Sequence, residues 1–179
     1  MEGITLIDFK KAFDSINRDR MFAILRHHGI LERIVTAIKT IYTNSKSMVT
    51  INNKYSAPFN ITTGILQGDV LAPYLFILVI DYVMCRAEEE VKTGFTTHPQ
   101  QTRRLHGFKI NDLDFADDMA LIEELLERAQ HQLQVHSNMA NEVGLVINID
   151  KTKWMTTVKT NEQLILNGSP IKQVDDFTY

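Results

Sequence analysis

The sequence has little cysteine and no excess of basic charge. Its single cysteine, Cys85, excludes an internal disulfide and a zinc site built on several cysteines, and it is typical of a reducing compartment. The 19 basic and 22 acidic residues give a net charge of −3, so the chain as a whole lacks the basic surface of a protein that binds a polyanion. We therefore expect any surface that binds nucleic acid to be a local basic patch or to belong to segments outside this chain.

A long apolar run is also missing. The most apolar segment, Val70 to Cys85, contains Pro73 and Asp81 and is shorter than the ~20 residues that a bilayer requires. The N-terminus has no basic region followed by an apolar stretch, so no secretory signal is visible. We expect an intracellular protein of the cytoplasm or nucleus, without a membrane partner. Its 179 residues suffice for one globular domain.

Periodicity predicts strands and helices without a regular βαβ alternation. We predict helices over 16–28, 31–42, 71–90 and 123–143. We predict strands over 5–9, 48–51, 55–61, 105–110, 113–122, 145–149 and 152–158, and a last hairpin around 164–168. The polar segment 92–104 is interpreted as an insertion. Paired strands in the middle of the chain favour an α+β fold, with a mainly antiparallel sheet and helices packed on one face.

Two acidic turns indicate a possible metal site. Asp117 and Asp118 lie between short apolar runs, and adjacent carboxylates repel each other unless a divalent cation neutralises them, although paired aspartates are also common in ordinary turns. Asp8 ends the first predicted strand. If both turns lie at one sheet edge, three carboxylates can hold two Mg²⁺ ions ~3.5–4 Å apart. Such a pair activates a hydroxyl and stabilises a leaving pyrophosphate, which is the chemistry of nucleotide addition.

Five segments in order resemble the palm motifs of a known family. They are 6–15, 63–76, 115–118, 144–153 and the terminal 177–179. Together they resemble the reverse transcriptases of non-LTR (LINE-type) retrotransposons, which are related to the group II intron enzymes. The resemblance implies a right-hand polymerase palm that copies an RNA template onto a DNA primer from deoxynucleoside triphosphates. It also implies two Mg²⁺ ions, with Mn²⁺ as an alternative.

The resemblance assigns roles to charged residues. Asp8 and Asp117 are expected to be the main metal ligands, with Asp118 beside them. Lys151 is expected to meet the triphosphate and to protonate the leaving pyrophosphate, with Lys153 as the competing choice.

The resemblance also implies a nucleotide site made of Phe9, Phe13, Gln67 and Gly68. Phe13 falls at the position of an aromatic gate that excludes a 2′-hydroxyl, so deoxynucleotides should be preferred; the alternative is an ordinary core phenylalanine. Gln67 offers a donor and an acceptor, and Gly68 lets backbone approach closely or only shapes a turn. Asp14 is interpreted as a structural residue that caps a helix.

Parts of the family pattern have no counterpart in the chain. We interpret residues 1–179 as a partial reverse transcriptase domain, a palm with part of the fingers, in which the N-terminal fingers and the thumb are missing. The remaining segments of a polyprotein are the expected partners, and little processive synthesis is expected from this chain alone.

The sequence has three alternative interpretations. The first is a retrotransposon-derived remnant that binds metal or a partner without catalysis. An RNA-dependent RNA polymerase is disfavoured by Ala116 and Phe13, where such enzymes usually have glycine before the aspartates and a smaller gate residue. A ferredoxin-like binding domain is disfavoured by the ordered motifs.

Overall fold

The computed structural model describes residues 3–92, 94–98, 108–158 and 160–177. The chain divides into two compact units. One comprises Met1–Lys10 and Val83–Tyr179 and is called the sheet unit; the other, Lys11–Tyr82, is called the helical unit.

The helices and strands follow one another in mixed order. The helices are α1 (Ala12–Ser15), α2 (Arg18–His27), α3 (Glu32–Thr43), α4 (Ala72–Val91) and α5 (Leu126–Glu142). The first strands are β1 (Gly3–Ile7), β2 (Lys46–Ser47), β3 (Thr50–Ile51), β4 (Lys54–Tyr55), β5 (Phe59–Asn60), β6 (Phe95–His98) and β7 (Phe108–Ile110). The later strands are β8 (Asp112–Phe115), β9 (Asp118–Glu123), β10 (Lys153–Thr156), β11 (Ile165–Leu166), β12 (Ser169–Pro170) and β13 (Lys172–Gln173).

The sheet unit is built on a five-stranded sheet in the order β13-β10-β1-β9-β8. The central strand β1 is antiparallel to both neighbours, with Leu6 opposite Lys153 of β10 and Ile7 opposite Met119 of β9. Strands β8 and β9 form an antiparallel hairpin, and β13 runs parallel to β10. The expected α+β fold with a mainly antiparallel sheet is therefore confirmed.

Helix α5 covers this sheet because its buried residues recur at helical spacing. Ala129, Leu133, His136 and Ala140 lie on one face of the helix and are buried, and α5 contacts β9 and β1. Val135 packs against the last turns of α4 in a small apolar cluster.

The helical unit contains α1, α2, α3, the first half of α4 and two short hairpins. Helix α2 begins where the side chain of Asn17 accepts the Arg20 N–H at 3.1 Å, an N-cap. The hairpin β3–β4 turns through Asn52 and Asn53, whose φ angles of 49° and 60° are those of a type I′ turn. In the described ranges, no helix is both long and apolar enough to cross a bilayer.

Several predicted strands are different in the structure. The predicted strand 145–149 is wrong, because only an isolated bridge joins Ile147 to Phe9. The predicted strand 113–122 is two strands, β8 and β9, and Glu123 completes β9 instead of starting a helix. Strand β13 had no sequence signal, because its two residues pair only through the tertiary register.

The predicted insertion is also partly wrong. Within 92–104, Phe95–His98 forms β6 and pairs with β7, while residues 93 and 99–104 lie outside the described residues. Within the predicted strand 105–110, Phe108–Ile110 forms β7, and residues 105–107 are likewise outside the described part.

Candidate active site

Asp8 and Asp118 lie at the same end of the paired strands β1 and β9, which is called the sheet edge. Asp8 follows Ile7 at the end of β1, and Asp118 precedes Met119 at the start of β9. Because Ile7 and Met119 are paired across the two strands, the aspartates meet where the ladder ends. Both line a cavity of about 320 Å³. The other lining residues are Leu6, Ile7, Asp150, Lys151, Lys153 and Phe177.

The Asp8 carboxylate has one paired and one unpaired oxygen. Its Oδ2 lies 3.6 Å from Lys151 Nζ, and the Asp8 side chain is 33% exposed, against 68% for Lys151. Its Oδ1 is buried and has no hydrogen-bond partner. An unpaired carboxylate oxygen is costly to bury, so Asp8 carries an unused acceptor at the sheet edge.

Asp117 lies in the two-residue turn between β8 and β9, beyond the last pair of Phe115 with Asp118. Ala116 begins this turn with a φ of 58°, a left-handed conformation that non-glycine residues adopt at a cost. Asp117 is exposed and is not among the residues that line the cavity. Its assignment as a metal ligand stays a prediction.

Strand β8 carries a further acidic pair, Asp112 and Asp114. The pKa of Asp114 is raised to about 7. The largest cause is desolvation of its carboxyl group, and the smaller causes are the negative charge of Asp112 and a hydrogen bond with the Asp112 side chain.

The donor set at the sheet edge fits a hard divalent cation. Within the described part of the chain, no three His, Cys, Asp or Glu side chains are grouped closely enough to hold a metal by themselves. Mg²⁺ is commonly held by one or two carboxylates, with water and substrate phosphates as its other ligands. Asp8 and Asp118, with the unpaired Oδ1 of Asp8, meet that lower requirement.

Within the helical unit, the predicted nucleotide residues Phe13 and Gln67 lie on two segments that are joined by hydrogen bonds. The Ile65 N–H donates to Phe13 O at 2.7 Å, and the Gly64 N–H donates to Ile16 O at 2.8 Å. The half-buried ring of Phe13 stacks on Phe76, with ring centroids 4.3 Å apart.

Asp14 does not cap a helix, which corrects its interpretation from the sequence. Helix α1 begins after Lys11, which forms no side-chain cap. Instead, the Asp14 Oδ1 accepts a hydrogen bond from Gln67 Nε2 at 3.1 Å. This contact orients the amide of Gln67.

The two glycines of the loop after β5 differ in their surroundings. A Cβ built on Gly64 would lie 2.6 Å from both Cα and O of Asp14, and Gly64 has a φ of +77°. Gly68 has a φ of +89°, but a Cβ there would meet nothing within 4 Å. Gly64 is thus required by close backbone contact, whereas the space beside Gly68 is open.

The buried guanidinium of Arg18 holds the start of the same loop. Its Nε donates to Gly64 O at 2.9 Å, and its Nη1 donates to Ile61 O at 2.7 Å and to Tyr42 O at 2.6 Å. Burial lowers the pKa of Arg18. Sequence reasoning missed this residue, since an arginine in the first turn of a helix is normally exposed.

The remaining predicted residue, Phe9, is only 7% exposed, and its backbone bridges Ile147. Its contact with a nucleotide stays a prediction. Sequence reasoning also missed Asp150, which lines the cavity, and Thr152, whose hydroxyl accepts the Asp8 N–H. Both are adjacent to Lys151 in the sequence, and this adjacency to a predicted site residue was the one signal that could have identified them.

Comparison with known proteins gives a consistent result. The family model described as reverse transcriptase (RNA-dependent DNA polymerase) matches residues 2–178. A Pol polyprotein from the type-1 retrotransposable element R2 of Popillia japonica is 23% identical over 97% of this chain and 27% of its own length. The R2 polyprotein of Nasonia vitripennis is 30% identical over 89% of the chain and 15% of its own length. The chain thus spans about a quarter or less of these curated relatives.

Solved structures agree on the fold. An apo telomerase from Candida tropicalis, truncated from its C-terminal domain, superposes with a TM-score of 0.61 at 14% identity, over 93% of this chain and 33% of that one. A telomerase from Candida albicans in complex with a telomeric RNA fragment gives a TM-score of 0.52 at 11% identity, over 96% of this chain and 29% of that one.

The family match covers nearly the whole sequence, and the R2 relatives confirm the expected resemblance to non-LTR retrotransposon enzymes. The chain belongs to the reverse transcriptase (RNA-dependent DNA polymerase) family.

Proposed function

We propose that this chain is the palm, with part of the fingers, of an enzyme that extends a DNA primer along an RNA template. The observation that carries the proposal is the sheet edge at which Asp8 and Asp118 line one cavity with Lys151, while one Asp8 oxygen has no partner. A carboxylate pair beside a cation is the donor set that nucleotidyl transfer requires.

Reverse transcriptase domains generally use divalent metal ions. In this chain Asp8 and Asp118, with Asp117 in the adjoining turn, would hold them, and we propose two Mg²⁺ ions with Mn²⁺ as a substitute. When bound, such ions would lower the pKa of the attacking hydroxyl and neutralise charge on the phosphates. The carboxylates contribute oxygen ligands, and the sheet holds Asp8 and Asp118 at a common edge.

Lys151 supplies positive charge beside Asp8, and Lys153 lines the same cavity. Its ammonium group lies 3.6 Å from the Asp8 carboxylate and is 68% exposed, so it can reach a phosphate that enters the cavity. We assign to Lys151 the proton that the leaving pyrophosphate takes up, because a proton donor is most effective beside a developing negative charge.

The nucleotide contacts belong to the helical unit and to Phe9. The stacking of Phe13 on Phe76 holds its ring in place, as a gate against a 2′-hydroxyl requires. Gln67, oriented by Asp14, would contribute an amide to the nucleotide, and the open space beside Gly68 would admit a ligand close to backbone.

Reverse transcriptases act on RNA templates. The R2 relatives are polyproteins much longer than this chain, so we propose further polyprotein segments as partners, besides the template, the DNA primer and deoxynucleoside triphosphates. We also propose an intracellular location, consistent with the use of a single cysteine. The alternative of a non-catalytic remnant has no better support.

A primer-extension assay tests the proposal. It uses the protein that carries this chain at its natural length, an RNA template annealed to a DNA primer, deoxynucleotides and Mg²⁺. Asp118→Asn should reduce the rate about 100-fold or more, the loss typical when a preorganised charged group is removed. Asp117→Asn measures separately how much Asp117, the turn residue, contributes to the rate of extension.

Glu142→Gln is the matched control, because Glu142 is exposed at the end of α5. It should retain activity within twofold. Wild-type rates in both Asp118→Asn and Asp117→Asn would refute the catalytic assignment of the aspartate pair.

A further inference from the structure

The backbone of Asp8 is held by a turn that follows far along the chain. Asp8 leaves β1 where the strand ladder ends, so its amide needs other partners. Its N–H donates to the Oγ1 of Thr152 at 3.3 Å, and its C=O accepts the Asn148 N–H at 2.7 Å. The peptide groups on both sides of the Asp8 side chain are thereby anchored.

The two anchoring residues belong to one compact turn. The N–H groups of Lys151 and Thr152 both donate to Asn148 O, at 3.2 and 2.8 Å. Thr152 is completely buried, with an exposed fraction of 0%. Since Lys151 is part of this turn, the contact between Thr152 and Asp8 also sets where the Lys151 side chain starts.

We propose that Thr152 is a positioning residue that keeps the Asp8 carboxylate and the Lys151 ammonium beside each other. This inference rests on the proposed function in that it takes Asp8 and Lys151 to be site residues. Without the hydroxyl, the Asp8 N–H loses its acceptor in a partly buried place, and one of the two hydrogen bonds that hold Asp8 to the turn is lost. The support shared by Asp8 and Lys151, whose charged groups lie 3.6 Å apart, is then weakened.

Two substitutions separate the hydrogen bond from packing. Thr152→Val keeps the shape of the side chain but removes the acceptor. Thr152→Ser keeps the hydroxyl but removes a buried methyl group. A role in packing alone predicts that serine is at least as harmful as valine, whereas a positioning role predicts that serine rescues.

Amide hydrogen exchange, followed by NMR on the 179-residue chain, measures the contact without any activity. In the unsubstituted chain the Asp8 amide should be protected. In Thr152→Val its exchange should be at least about fivefold faster, the ratio expected for loss of one typical hydrogen bond. The Thr5 and Leu6 amides, within the strand, should change less than twofold, and Thr152→Ser should keep Asp8 protected.

Two exchange results would overturn the inference. One is an Asp8 amide that exchanges in the unsubstituted chain as fast as an exposed loop amide, a measurement that does not depend on any variant folding. The other is equal exchange at Asp8 in the valine and serine variants.

Primer extension then connects the contact to the site. Thr152→Val should raise the Mg²⁺ concentration for half-maximal rate about 10-fold, as the loss of a group that orients a metal ligand does. An unchanged Mg²⁺ requirement would overturn the positioning role. If exchange behaves as expected but Asp8→Asn retains full activity, the proposed function fails while the hold of Thr152 on Asp8 stands.

Discussion

Replacement of Gly64 by alanine tests the close packing of the loop after β5 against the segment that carries Phe13. The new Cβ would lie 2.6 Å from the Cα and the carbonyl oxygen of Asp14. These are backbone atoms, so they cannot turn aside as the end of a side chain can. Any shift that relieves the clash must lengthen the hydrogen bonds of Gly64 with Ile16 and of Ile65 with Phe13, now 2.8 and 2.7 Å.

The magnitude follows from two additive costs. A non-glycine residue in the left-handed region costs about 1–2 kcal/mol, and overpacking a well-packed site costs about 1–3 kcal/mol. Gly64→Ala should therefore lower the free energy of unfolding by about 2–5 kcal/mol. Gly68→Ala has the same left-handed backbone but open space around its Cβ, so it should lose only about 1–2 kcal/mol.

Urea denaturation followed by circular dichroism provides both values in one experiment. The difference between the two variants isolates the steric term, about 1–3 kcal/mol, which corresponds to about 2–12 °C in melting temperature for a chain of this size. If the two alanine variants unfold within about 0.5 kcal/mol of each other, a value within the usual scatter of mutational data, the close approach of the loop to Asp14 is refuted.

Two further predictions concern charged residues. Between pH 4 and 7 the raised pKa of Asp114 keeps a proton on the folded chain that the unfolded chain has released, so the free energy of unfolding should fall as the pH rises through this range. In melting curves Asp114→Asn should flatten this dependence on pH, and the control Asp175→Asn should not. Equal slopes in the wild type and in Asp114→Asn would contradict the raised pKa. Arg18→Lys should destabilise the helical unit by about 2–4 kcal/mol in urea, because an ammonium cannot reproduce a guanidinium fork bonded to three carbonyls. Arg20→Lys, at an exposed position, should cost less than about 0.5 kcal/mol, and a similar small loss in Arg18→Lys would show that the carbonyl contacts are not needed.

Local sequence signals predicted the elements whose cause is local. Helix α3 follows from its apolar spacing, and the hairpin turn at Asn167 and Gly168 follows from a dipeptide that tolerates positive φ, here 51° and 79°. Strand β13 and the bridge at Ile147 depend on register across the sheet, which the sequence reading could not supply. The same limit applies to the predicted strand over 145–149.

The candidate site was predictable in part. The aspartates and Lys151 were identified through ordered motifs, and the structure brings Asp8, Asp118 and Lys151 to one cavity. The contact of Asp14 with Gln67 could not be predicted, because it joins segments more than 50 residues apart. Thr152 was hidden for the same reason, since its partner Asp8 lies at the other end of the chain.

The most direct test of the proposed site is primer extension on an RNA template by Asp8→Asn, in the protein that carries this chain at its natural length and with Mg²⁺ and deoxynucleotides. Asparagine keeps the size of the side chain but removes the charge that a divalent cation requires. We predict a loss of about 100-fold or more, with a melting temperature close to that of the unsubstituted protein and with Glu142→Gln active within twofold. DNA synthesis by Asp8→Asn at the unsubstituted rate would contradict it.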